Sequence, residues 1–298
     1  LPEPIDLFFL GTGSGIPSLE RHHPAILFRR GGEHFLFDCG EAAQLGLERA
    51  KISPMKISRI FISHWHADHF AGLLPLIETL HMSKRTEPLH IYGPEAARFV
   101  DALMELSYWG VGFEIRVTEC PTDKPDLILK GDDYDVYSIP VKHNVPAVGY
   151  LFREKSHWTI DLAKAKAAGL GPSHDLQVLK DDGELKLGKR TIYLKDVAYE
   201  TPGRSVAYSG DTLAHEPFFK FVEGCDLLIH DGTFVEPRPD RSHADTKEVT
   251  TLANRYRIKR LILTHISHRY RDSIEMTKQA KKIFRNTVVA EDNLKVRV

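Results

Sequence analysis

Arg59-Ile60-Phe61-Ile62-Ser63-His64-Trp65-His66-Ala67-Asp68-His69 is the stretch on which the reading of this chain turns. Its first five residues form a short, mostly apolar run, the pattern of a buried β-strand. Three histidines and an aspartate follow within six residues. Zinc takes imidazole and carboxylate donors, and catalytic zinc sites keep one position for water. On an extended turn after a strand, His64 and His66 can reach one ion while Asp68 and His69 reach a second. A helix would not bring positions i and i+2 onto one side. The stretch reads as a strand that ends in a two-metal ligand cluster.

The same event repeats along the chain. Val136 to Val141 reads as a strand ending at His143, and Ser205 to Ser209 as one ending at Gly210-Asp211-Thr212. Asp226 to Ile229 ends at His230-Asp231, and Arg260 to Thr264 ends at His265. Ligands of open α/β sheets bind outside the carboxyl ends of the strands. His143, Asp211 and His265 are therefore the candidates for the missing ligands, and Asp211, with two oxygens, can bridge both ions. Two close metals generate hydroxide near neutral pH and clamp the attacking and leaving oxygens of an in-line displacement. Asp68, beside that water, can orient it or accept its proton.

The rest of the pattern is α/β. Ile5 to Leu10 is a predicted strand that runs into Gly11-Thr12-Gly13-Ser14-Gly15. This is not a dinucleotide fingerprint, because Ile16 stands where the third glycine belongs and Pro17 follows. Ala25 to Arg29 and His34 to Asp38 read as a hairpin around Gly31-Gly32. Phe70 to Met82 is a predicted helix kinked at Pro75, and Glu95 to Leu106 a second helix. Residues 151–204 break the alternation. They hold a helical stretch (Asp161 to Ala168), then Gly169-Leu170-Gly171-Pro172, then a lysine-rich segment with Asp181-Asp182-Gly183. They read as an inserted arm within a single domain spanning 1–298.

Composition excludes little. The 298 residues carry 40 Lys and Arg against 41 Asp and Glu, which neither demands nor forbids a nucleic-acid partner. The three scattered cysteines argue against a disulfide framework and a cysteine zinc site. No run approaches the roughly 18 apolar residues of a membrane span. No charged-then-apolar leader opens the chain, so a cytoplasmic, membrane-free protein is expected.

The cluster with Gly210-Asp211 and His265 resembles the metallo-β-lactamase superfamily. Further segments are similar to one of its families, tRNase Z (ribonuclease Z), which processes the 3′ end of precursor tRNA. These are Gly11 to Pro17, Leu36-Phe37-Asp38-Cys39-Gly40-Glu41 with Gln44, Lys142 to Tyr150, His230-Asp231-Gly232-Thr233-Phe234 with the later His243, and Leu263 to Tyr270. The resemblance spans nearly the whole chain. It implies a four-layer αββα sandwich of two pseudo-equivalent halves, usually a homodimer. It implies two zinc ions, with manganese or another divalent ion as a substitute. His64, His66 and His143 would hold one ion and Asp68, His69 and His265 the other, with Asp211 bridging. Asp68 is the implied general base, and Asp231 with His243 the implied relay that protonates the leaving oxygen. The segment 151–204 sits where the family has its tRNA-clasping arm, and Gly171-Pro172 is similar to that arm's Gly-Pro motif. Arg21 matches a family loop thought to sense the tRNA 3′ end.

Two departures stand out. The family's relay carboxylate is glutamate, whereas Asp231 is one methylene shorter. The family's P-x-K-x-R-N loop reads Pro17-Ser18-Leu19-Glu20-Arg21-His22, so Leu19 replaces its lysine and His22 its asparagine. The arm is only mildly basic, with nine Lys and Arg against seven Asp and Glu in residues 153–196; Arg29-Arg30 and Lys84-Arg85 could add phosphate contacts. Shape-based recognition of double-stranded RNA tolerates this balance. The expected activity is endonucleolytic removal of the 3′ trailer, leaving a 3′-hydroxyl on tRNA and a 5′-phosphate on the trailer. The alternatives are a small-molecule phosphodiesterase or other hydrolase on the same scaffold, and a metal-dependent RNA-binding protein without catalysis.

Overall fold

The computed structural model of the chain describes residues 3–106, 108, 110–171, 174–188, 190–237, 242–270 and 272–298. Two seven-stranded sheets carry the main unit. In the first, the order is Lys295–Arg297, Ile5–Gly11, Ala25–Arg30, Glu33–Phe37, Ile57–Phe61, Leu89–Gly93 and Ile115–Glu119. In the second, it is Thr287–Val289, Leu261–Thr264, Leu227–Asp231, Ser205–Tyr208, Val148–Glu154, Tyr134–Pro140 and Asp126–Lys130.

Alternation along the strands explains why the sheets stack. One strand face carries Phe28, Phe35, Phe37, Phe61, Tyr150, Phe152 and Tyr208, all buried. These rings meet between the sheets: Phe28 lies 4.6 Å from Phe152, Phe61 5.2 Å from Tyr150, and Phe37 5.8 Å from Tyr208, centroid to centroid. Aromatic pairs at such separations add to the area they bury. The opposite faces are aliphatic. Leu10, Leu27, Leu36, Ile60 and Ile62 form a second core with Leu47, Leu76, Ile77, Leu80 and Val100 from helices Ala43–Arg49, Leu73–Met82 and Ala96–Glu105. On the other sheet, Leu151, Ala207, Leu228, Leu261 and Leu263 pack on residues of helices Glu216–Phe221, Thr246–Arg255 and Ile274–Ile283. The result is the helix–sheet–sheet–helix order that the family resemblance implies.

Two differences from the sequence expectation have local causes. Phe70 to Met82 is not one kinked helix. A short helix, Ala67–Phe70, is followed by Leu73–Met82. Gly72 marks the break: a Cβ there would lie 2.2 Å from the Gly40 carbonyl oxygen, so the chain passes too close for any side chain. Pro75 then falls in the first turn of the new helix, where its missing N–H has no intrahelical acceptor to lose. The strand expected at Asp226 to Ile229 runs instead over Leu227–Asp231, so His230 and Asp231 belong to its end. Parallel pairing accounts for this, since Asp231 stands opposite Thr264 in the register.

The second compact unit comprises residues 131–135 and 153–204. It contains the antiparallel pair His157–Ile160 and Ala198–Thr201, the hairpin Glu184–Leu187 and Arg190–Tyr193, and helices Leu162–Ala167 and His174–Asp182. Its own small core holds Ala165, Leu170, Leu179, Ile192, Leu194, Val197 and Ala198. Asp161 caps the first helix by accepting from the N–H groups of Ala163 and Lys164. Gly171 donates its N–H to Asp175; Pro172 lies outside the described residues.

Candidate metal centre

Strand ends build the site. Ile57–Phe61 runs parallel to its neighbour Leu89–Gly93, and His64 to His69 follow it directly. His66 is extended (φ −75°, ψ 143°), so the residue-two spacing of His64 and His66 works as the sequence suggested. Asp68 and His69 instead sit on the helical turn Ala67–Phe70, which aims both toward the second half. There, Ser205–Tyr208, Leu227–Asp231 and Leu261–Thr264 are parallel neighbours in register, so Asp211, Asp231 and His265 emerge at one edge. Gly210 makes the turn into Asp211 with φ +59°. A Cβ on it would meet Ser63 Cβ at 2.5 Å, so both the dihedral and the space require glycine.

The donor atoms fall into two groups. His64 Nε2 lies 3.0 Å from His66 Nδ1, which lies 3.3 Å from His143 Nε2. In the second group, Asp211 Oδ2 lies 3.2 Å from His69 Nε2 and 3.1 Å from His265 Nε2. Asp68 Oδ2 lies 3.5 Å from His69 Nε2 and 3.4 Å from His265 Nε2. Asp211 also approaches the first group, 3.8 Å from His64 Nε2. A tetrahedral ion with bonds of about 2.0–2.1 Å has ligand atoms about 3.3 Å apart, which is the spacing seen. Asp211 Oδ1 and His69 Nε2 are buried without a hydrogen-bond partner. Buried polar groups are almost always satisfied, so these orphaned atoms and the imidazole–carboxylate set fit divalent metal binding. All seven ligand candidates from the sequence are thus brought together.

Surrounding groups orient the donors in a way the sequence did not reveal. Asp38 is fully buried with φ +55°, a backbone region that aspartate tolerates better than most residues. Its carboxylate accepts from Ser63 N (2.7 Å), Ser63 Oγ (2.9 Å) and Tyr208 Oη (2.5 Å), and pairs with His69 Nδ1 at 2.7 Å. His143 Nδ1 pairs with the Ser242 carbonyl at 3.0 Å, and His265 Nδ1 with Thr233 Oγ1 at 2.8 Å. Such partners fix which ring nitrogen of a histidine faces the metal. Two signals pointed at Asp38: its place in the family-like segment Leu36 to Glu41, and an aspartate closing the apolar run Phe35-Leu36-Phe37, where an unpaired charge would be costly.

Asp231 and His243 come together as well. Asp231 is fully buried, and its Oδ2 lies 2.9 Å from His243 Nδ1. Burial works against a charged His243, but the Asp231 carboxylate outweighs it and pushes the imidazole up to about 9. Burial likewise opposes charge on Asp68, yet the hydrogen bond with His265 and the field of His69 hold its carboxyl well below the usual range. These shifts favour a protonated His243 and an ionised Asp68. Arg21 turns inward: Nη1 donates to Thr12 Oγ1 at 2.8 Å and to the Ala290 carbonyl. His22 pairs through N and Nδ1 with Asp292 at 2.8 and 2.6 Å. Leu19, in the same loop, is 93% exposed. Cys39, Cys120 and Cys225 are buried, and none is in a disulfide.

Comparison with known proteins covers the chain in pieces and as a whole. Residues 5–105 match the family model described as anti-Pycsar protein Apyc1, and residues 196–266 match the beta-lactamase superfamily domain. A ribonuclease Z of Methanococcus aeolicus is 37% identical over 96% of this chain and 92% of its own length. A ribonuclease Z of Methanosarcina acetivorans is 37% identical, covering 97% of each. Among solved structures, the short form of human tRNase Z superposes with a TM-score of 0.71 at 28% identity, covering 98% of both chains. The metallo-beta-lactamase fold protein YhfI of Bacillus subtilis reaches 0.71 at 20% identity, covering 99% of this chain and 100% of its own, which speaks to the fold.

Proposed function

Because the chain belongs to the ribonuclease Z family, we propose that it is a metal-dependent endoribonuclease that removes the 3′ trailer from precursor tRNA. The observation that carries the reading is the pair of donor groups meeting at Asp211, with the Asp231–His243 pair, 2.9 Å apart, beside them. Zinc, replaceable by manganese, is the proposed resident ion, two per chain, because imidazole and carboxylate donors suit it. When bound, the ions supply an activated water and stabilise charge on the phosphoryl group. The remaining steps belong to the protein. His64, His66 and His143 form one set of ligands, and Asp68, His69 and His265 the other, with Asp211 between them. Asp68, the partly exposed carboxylate among these donors, orients the water and takes its proton. His243, charged and one-fifth exposed, donates a proton to the departing 3′-oxygen, and Asp231 holds its ring in place.

Substrate grip is assigned to the arm, residues 151–204. Its exposed Trp158, Tyr193 and Tyr199 offer stacking faces, and Lys164, Lys166 and Lys186 offer charge. Gly171 is assigned to this surface as well, while Arg21 acts by shaping the loop that presents Leu19. Two copies are proposed to pair through apolar surface such as Met82 and Leu106, which are 74% and 73% exposed. Among the described residues no helix is long and apolar enough to cross a membrane, and the cytoplasm is the proposed compartment.

The deciding experiment incubates the purified protein and zinc or manganese with a precursor tRNA carrying a 3′ trailer, then maps both ends. The expected products are tRNA ending in a 3′-hydroxyl and a trailer beginning with a 5′-phosphate. An intact precursor alongside rapid cleavage of a small phosphodiester would overturn the reading in favour of a small-molecule hydrolase.

A further inference from the structure

We propose that Thr233 is a positioning residue that couples the tautomer of His265 to the Asp231–His243 pair, a role that rests on the relay proposed above. Thr233 is 3% exposed. Its Oγ1 lies 2.6 Å from Asp231 Oδ1 and 2.8 Å from His265 Nδ1. A carboxylate can only accept, so the threonine O–H is committed to Asp231. The oxygen is then left to accept, and His265 must carry its hydrogen on Nδ1. In the neutral ring, Nε2, the atom facing Asp211 Oδ2 at 3.1 Å and Asp68 Oδ2 at 3.4 Å, is then the nitrogen left for a metal. A neutral ring with Nε2 free is the form a metal ligand needs.

The chain of bonds continues on the other side of the carboxylate. Asp231 Oδ1 also accepts from Thr233 N at 2.8 Å, and Oδ2 accepts from Thr212 N at 3.2 Å and pairs with His243 Nδ1 at 2.9 Å. Both oxygens are held, so the short aspartate side chain stays pointed at His243. One hydroxyl thereby sets the state of a ligand on one side and anchors the acid's carboxylate on the other. Thr233 is buried among these groups and has no surface to offer RNA.

Thr233→Val keeps the shape and deletes the hydroxyl, whereas Thr233→Ser keeps the hydroxyl and deletes a methyl. Zinc affinity is read by competition with a chromogenic chelator, and cleavage of precursor tRNA is followed at saturating zinc. The valine variant is expected to bind zinc about 10–100-fold more weakly. Its kcat falls while KM for tRNA stays unchanged, and serine restores both toward the parent. Equal values for valine and the parent, or a serine variant as impaired as valine, would overturn the proposal. If melting curves show that the valine variant does not fold, Thr233→Ala carries the same comparison. Should the parent itself cleave no precursor tRNA, the proposed activity fails, and the zinc titration still decides whether Thr233 governs His265.

Discussion

The first sheet delivers His64, His66, Asp68 and His69 from one six-residue stretch, whereas the second delivers His143, Asp211 and His265 from three separate strand ends. Asp231 and His243 also come from the second half. The contrast has a physical origin. A short extended turn and one helical turn place neighbouring residues by local geometry alone. Parallel strands place Asp211, Asp231 and His265 by register, and register is an outcome of packing. The first half is a pre-arranged cluster; the second is an assembly that exists only in the folded state.

Removing Asp211 should have the largest effect, because it lies between the two donor groups. Asp211→Ala is expected to lower cleavage by at least about 10⁴-fold, as when one member of a catalytic unit is lost. Plasma emission should show metal lost from both positions, whereas His66→Ala should lose it mainly from one; two ions retained in Asp211→Ala would break the comparison.

His243→Ala comes next. A drop of about 10²–10⁴ in kcat with metal content kept is expected of a missing proton donor. Loss of metal instead would make His243 a ligand, consistent with its place in a third donor group with Asp211, Asp231 and His265.

Asp38→Asn probes the support of the first half. Asparagine cannot match the charge that faces His69 Nδ1, so metal affinity should fall about 10–100-fold in chelator competition. An unchanged affinity would mean that local geometry alone holds the cluster.

Gly210→Ala tests where the halves touch. The forced left-handed backbone and the clash with Ser63 should together destabilise the fold by about 2–4 kcal/mol in urea titrations. A neutral result would show that the junction can move apart.

The smallest effect is a control outside the centre. Arg297 and Arg29 hydrogen-bond to Asp6 and, against the cost of its burial, bring its carboxyl down to about 2. A group depressed in the folded state stabilises above its ordinary value of 3.8 and loses that contribution as pH falls through about 2. The melting difference between the parent and Asp6→Asn should thus be present at pH 5 and gone near pH 2. A difference that persists there would place its source elsewhere.

From the residues alone came the cluster at His64 to His69, the strand ends carrying His143, Asp211 and His265, and the α/β class; the layered order came from the resemblance. Each depends on short-range spacing, which an amino-acid sequence displays directly. Only the tertiary structure decided that Asp38 orients His69, that Thr233 stands between His265 and Asp231, and that Arg21 faces inward to Thr12 and Ala290. It also moved Pro75 from a helix middle to a helix start, because Gly72 had to pass the Gly40 carbonyl. These features join residues distant in the chain, and their partners are chosen by sheet register and close packing, which no local pattern encodes.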